Sequence, residues 1–190
     1  MFRNLAERLF SETEEPKYKV VNKFTEKGKE YEERQYESCR WIVTKVTGKN
    51  YKDSSGEGFI RLFKYISGEN KEGNRISMTA PVVIYCQPAN EDWKECADEL
   101  MVGFFVPQST KQLPTSKTDN ITFRDSPAHT VFVRTFNGFA KEEDYMANAK
   151  ILKSAINDSS CYRSDFFYAC GYDSPMKLVN RRNEVWLLKK

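Results

Sequence analysis

The sequence predicts an α+β fold: eight antiparallel strands curling into one distorted β-barrel, with two helices packed outside it. Three observations predict it. The first is an internal repeat at an offset of 90 residues, which lays Tyr31–Gly48 over Ile121–Gly138. The second is a pair of helical patterns, each with two strand-like segments before it and two after it. The third is a rich aromatic supply, 14% of the chain with thirteen Phe and ten Tyr, which suits a β-rich core.

The repeat aligns Arg34 with Arg124, Val43 with Val133 and Gly48 with Gly138, while Trp41 faces Val131 and Val46 faces Phe136. Each segment reads as two strands around a polar turn. The register continues into the helices, where Leu62 meets Leu152 and Ile66 meets Ile156. The first helix is expected to begin near Ser54, because Ser54 and Glu57 have capping-box spacing. Phe59, Leu62, Phe63 and Ile66 make its apolar face, and Gly68 ends it. The second helix is expected from about Lys141 to Ile156. Glu142, Glu143 and Asp144 suit the positive end of its dipole, and Tyr145, Ala149, Leu152 and Ile156 form its buried stripe. Further strands are expected within Arg75–Cys86, Leu100–Val106, Asp165–Tyr172 and Asn183–Leu188. The two halves, about 29–107 and 119–190, thus each read strand, strand, helix, strand, strand. Gln108–Asn120, with Pro114 inside, links them, and Gln87–Glu99 is a second long loop. Neither half can cover its own sheet, so both belong to one domain spanning 17–190. Residues 1–16 form an appendage in which Phe2, Leu5 and Leu9 fall at helical spacing and Pro16 marks the boundary.

A chain of 190 residues buries roughly 70% of its unfolded surface and needs no crosslink to hold a core. The net charge of +3, with no Lys/Arg block, excludes a nucleic-acid binder. The five cysteines, Cys39, Cys86, Cys96, Cys161 and Cys170, are odd in number and form no C-x-x-C pair. They read as free thiols in a reducing, cytoplasmic setting. No signal-peptide core or membrane-span pattern is seen. His129 is the single histidine, without a second one for base or metal chemistry, and reads as an exposed turn residue. Nucleophile-elbow, P-loop and dinucleotide motifs are absent. Glu32–Glu33 and Glu142–Glu143 are sequence neighbours that point apart. The chain therefore reads as a binding module or interaction protein rather than an enzyme.

Several spaced motifs are more specific. They are Tyr31-Glu-Glu-Arg34, Gly68-x-Asn70, Ile76-Ser-Met-Thr-Ala-Pro-Val82, Thr130-Val-Phe-Val-Arg134, Gly171-Tyr-Asp-Ser-Pro-Met-Lys177 and Asn180-Arg-Arg-Asn-Glu-Val-Trp-Leu187. Together they resemble the signature of the SOUL/haem-binding protein family, over roughly Tyr18 to Lys190. The resemblance implies two ββαββ repeats in a distorted barrel and a cytosolic protein that binds haem or related porphyrins without catalysis, as a tetrapyrrole buffer or carrier; a monomer is expected. Some members carry a proposed axial histidine directly after the Y-E-x-R motif; here that position is Gln35, a poor iron ligand beside imidazole. The resemblance then implies the other family mode, a hydrophobic cleft beside the first helix and no metal site in the protein itself. Phe59, Phe63 and Lys64 on the helix, with Met176 and Lys177 on the facing segment, are the candidate contacts. Burying ~400 Å² of porphyrin contributes on the order of 10 kcal/mol gross, part of which is lost to ordering. Met78 and Pro81 read as structural. Two further readings stand beside this one. One is a protein-interaction module with weak haem affinity. The other is a small-molecule sensor, since the family barrel is similar to effector-binding domains of bacterial regulators; no DNA-binding helix pair accompanies it here.

Overall fold

The computed structural model describes residues 13–174 and 176–190. In chain order its elements are β1 (Tyr18–Phe24), β2 (Tyr31–Tyr36), β3 (Cys39–Thr47), α1 (Tyr51–Ile66), β4 (Val82–Cys86), β5 (Glu99–Phe105), β6 (Ile121–Ser126), β7 (His129–Phe136), α2 (Glu142–Ile156), β8 (Phe167–Gly171) and β9 (Asn183–Leu188). The strands form one antiparallel sheet in the order β1-β2-β7-β9-β8-β4-β5-β3-β6. The fold class is the expected one, with nine strands where eight were expected. The added strand, β1, pairs with β2 and is exposed over all but its first residue. An edge strand that buries neither face carries no alternating pattern to read. Lysines at 19 and 23 and a break in register between Val20 and Asn22 protect this edge.

Leaving β1 aside, the sheet order is a palindrome of the two halves. β2 and β6 lie outermost, then β7 and β3, then β9 and β5, with β8 and β4 at the centre. The strands flanking each polar turn do not pair with one another. β2 pairs with β7, and β3 pairs with β6. Yet only Glu37 and Ser38 separate β2 from β3, and only Pro127 and Ala128 separate β6 from β7. Such short links span at most about 10 Å, so strands far apart in the sheet order must meet in space. The sheet therefore curls into a half-open barrel.

The helices cover the outer face, α1 on β3 and β5 and α2 on β7 and β9. Helix α1 starts a turn earlier than expected. Asn50 is its cap, accepting the Asp53 backbone N–H at 2.9 Å. Ser54 is instead buried, its hydroxyl donating to the Lys49 carbonyl at 3.2 Å, and Glu57 turns to Lys49 and Arg61. Asn50, one turn before Ser54, thus takes the capping role expected of Ser54. At the other end Gly68 has the expected left-handed backbone, φ 110. Helix α2 opens with the Lys141 backbone N–H donating to the Asp144 carboxylate at 2.9 Å.

Three apolar clusters fill the molecule. Under α1 lie Ile42, Leu62, Tyr65, Ile66, Val102 and Phe104. Under α2, Tyr145, Met146, Ala149 and Leu152 meet Phe132, Phe167, Val185 and Leu187. The third lines the inner face of the sheet with Tyr36, Val83, Val131, Val133, Cys170 and Trp186. Strand alternation sorts these sets: Val131 and Val133 face inward while Phe132 between them faces α2. All five cysteines are free thiols. His129 is half-buried rather than exposed, because its ring stacks on Tyr36 at 5.8 Å and its Nδ1 lies 2.8 Å from the Pro127 carbonyl oxygen. The Phe2–Leu5–Leu9 stripe lies outside the described residues. Glu14 and Glu15 already pack on the domain, through the Ala80 and Gln108 backbone N–H groups and through Arg182.

Candidate ligand-binding cleft

Helical spacing puts Phe59 and Phe63 on the same flank of α1, where their rings stack at 5.8 Å and 12°. Phe104 of β5 backs Phe59 edge-on at 5.3 Å. Both rings are half-buried, unlike Leu62 and Ile66 beneath them. Lys64 follows, exposed, and makes no ion pair among the described residues.

Met176 and Lys177 lie on the segment between β8 and β9. That segment is organised by Arg181, whose guanidinium donates to the carbonyls of Ser174, Lys177 and Asp173 at 2.6, 2.8 and 3.1 Å. Asp173 accepts from Lys177 at 2.7 Å and from the Arg182 backbone N–H. Burial alone would raise its pKa, but Lys177 and that N–H hold it below the ordinary carboxylate value. Arg181 also lies 4.5 Å over the Phe139 ring. Met176, Leu178, Val179 and Phe139 are left more than half exposed, Leu178 by 75%. Sequence reasoning named Met176 and Lys177 and missed Leu178, Val179 and Phe139. The available signal was an apolar run after a turn, outside any periodic element.

β4 links the two groups. Val82 pairs with Gly171, where the loop leaves β8, and packs in the cluster that holds Phe59 and Phe63. Between the helix pair and the loop pair no hydrogen bond or ion pair forms among the described residues. Gln35 is exposed on β2, between Lys19 and Thr130, whereas α1 rests on β3 and β5.

The other motif residues are framework. Asn70 is buried and braces the end of α1, donating to the Tyr65 and Asn74 carbonyls at 3.0 and 2.6 Å. The Thr79 hydroxyl donates to the Phe105 carbonyl at 2.6 Å, and the Ala80–Pro81 bond is cis. Arg34 of the Y-E-x-R motif and Glu184 of the last motif meet on the inner face, at 3.0 and 3.1 Å. The fully buried Glu184 carboxylate also accepts from Arg182, Tyr172 and Trp186, the last two at 2.7 and 2.8 Å. Burial would raise its pKa, yet the two guanidinium groups and these donors hold it below the ordinary range.

With this arrangement in view, the profile of the SOUL heme-binding proteins matches residues 13–188. The chain belongs to the SOUL heme-binding protein family. Heme-binding protein 1 of Xenopus laevis is 37% identical over 190 residues, covering 100% of this chain and 99% of that protein. Heme-binding protein 2 of Homo sapiens is 33% identical over 165 residues, 84% of this chain and 78% of its own. Among solved structures, the C-terminal domain of EcmrR shares the fold at a TM-score of 0.60 with 12% identity, over 84% of this chain and 96% of that one. A hydrolase from Listeria innocua also shares the fold, at a TM-score of 0.51 and 8% identity over 100% of this chain and 98% of that one. At such identities the likeness speaks to fold alone.

Proposed function

We propose that the protein is a non-catalytic binder of haem or a related porphyrin, held beside α1 between the Phe59–Phe63 stack and the Met176–Val179 run. Haem binding is what the names of the family and of its relatives describe. The observation that carries the location is the parallel, half-buried phenylalanine pair on α1. Two aligned rings offer a porphyrin face the contact it wants, and the exposed apolar loop offers a second wall. The propionates then reach Lys64 and Lys177 at the rim, whose long stems follow the apolar walls. The proposed role is buffering or carriage of the tetrapyrrole.

With no histidine at position 35, ring burial supplies most of the affinity. Metal-free protoporphyrin should therefore bind within about tenfold of haem, a difference of roughly 1.4 kcal/mol. Soret absorbance and tryptophan quenching measure both. Phe63→Asp should weaken binding at least tenfold by placing an unpaired charge against the ring. Lys64→Ala should cost several-fold. Lys177→Ala should cost less, because Asp173 already competes for that ammonium. Folding is checked by circular dichroism. Wild-type haem affinity in folded Phe63→Asp protein would remove the cleft from consideration.

A further inference from the structure

The inner face of the barrel, away from α1 and α2, holds a cavity of about 500 Å³. Residues from seven strands, β3 to β9, line it, so it is the hollow around which the sheet curls. The palindromic sheet shows why it is open. Val43 pairs with Gly103 as its repeat mate Val133 pairs with Trp186. Lys45 pairs with Met101 as Thr135 pairs with Glu184. Gly103 thus stands where the other half has Trp186, and Met101 where it has Glu184. Arg124 is the mate of Arg34, for it pairs with Trp41 as Arg34 pairs with Val131.

In one half, then, an indole ring fills the inner face and a carboxylate neutralises the arginine. In the other half both are missing, and Arg124, Met101 and Gly103 all line the cavity. The other carboxylates that line the cavity are engaged elsewhere, Asp125 with Arg40 and Glu99 with Lys45. Arg124 itself has no carboxylate partner among the described residues. Tyr85 and Tyr168, 5.9 Å apart and edge to face, add aromatic wall, and Trp41 closes one side.

The geometry points to a second binding site here, for a small planar aromatic carboxylate. Its ring takes the place that Trp186 fills in the other half. Its carboxylate meets the Arg124 guanidinium as Glu184 meets Arg34, in the charge-assisted geometry that suits arginine. The site is separate from the tetrapyrrole cleft and does not rest on it. Its size falls within the range of small-molecule pockets, about 300–1,000 Å³.

The probe is indole-3-propionate, with tryptamine as its cationic counterpart, added to the full chain and followed by NMR of the three tryptophan indole N–H groups. Trp41 and Trp186 line the cavity, whereas Trp93 is buried under α2 against Phe167. Indole-3-propionate should shift Trp41 and Trp186 and leave Trp93 in place. Arg124→Glu, on an exposed edge-strand residue, should weaken it at least tenfold, and Arg124→Lys only a few-fold. Met101→Glu should also weaken it, by restoring the internal carboxylate. Saturating protoporphyrin should not displace it. Tryptamine binding as tightly as indole-3-propionate, an unchanged Kd in Arg124→Glu, shifts confined to Trp93, or displacement by protoporphyrin would each overturn the assignment.

Discussion

Glu184 concentrates the chemistry of single residues in this molecule. It is fully buried, faces Arg34 and Arg182, and accepts from Tyr172 and Trp186. Removing its charge leaves Arg34 with Glu32 alone and Arg182 with Glu15 alone, two guanidinium groups short of a carboxylate, so Glu184→Gln should destabilise the fold by about 3 kcal/mol at neutral pH. Because its folded-state pKa is lowered, its contribution is complete above the unfolded value of about 4.3 and disappears as pH falls through the folded one. Urea midpoints from pH 7 to pH 3 should fall steeply for wild type and less steeply for Glu184→Gln. Parallel curves would show that the carboxylate does not carry this linkage. Both Arg34 and Glu184 were visible in the sequence as motif residues. Their partnership was not, since 150 residues separate them and no periodicity reports a contact of that range.

Within α1, two glycines two positions apart carry opposite meanings. A Cβ on Gly58 would stand 2.5 Å from Val102 Cγ2, so its absence lets the helix settle on β5. A Cβ on Gly56 would meet nothing within 4 Å. Gly58→Ala should cost about 1–3 kcal/mol through overpacking, net of the helix propensity it gains. Gly56→Ala should stabilise by about 0.5–1 kcal/mol. Chemical denaturation of the two variants decides it, and equal signs would refute the close-approach account. Elements with a buried face were legible: both helices and the core strands follow apolar periodicity, with β9 placed residue for residue. Phe59 and Phe63 emerged from the same pattern. β1 did not, because it buries almost nothing, and the loop residues Leu178 and Val179 did not, because an irregular segment has no period to break.

At the scale of the whole molecule, the core clusters close without crosslinks. All five thiols should titrate in denatured protein prepared without reductant, and dithiothreitol should leave the melting temperature unchanged. A shortfall of two or four thiols would contradict this. The repeat was readable through its constant offset, but only where loop lengths match. The unequal connections before β4 and β8, residues 67–81 against 157–166, break that offset, so the exchange of Trp186 for Gly103 became visible only through strand pairing. The same pairing bears on how the chain is made. β2 and β3 have their hydrogen-bonding partners in β7 and β6, apart from β1 and β5, and β2 waits for the second half of the chain. At translation rates of about 5–20 residues per second, Tyr36 leaves the ribosome on the order of 5–20 s before His129, its partner across the sheet. For that interval the nascent first half presents an unsatisfied strand edge to its surroundings, and a chaperone that shields extended segments would act on this protein during synthesis rather than after it.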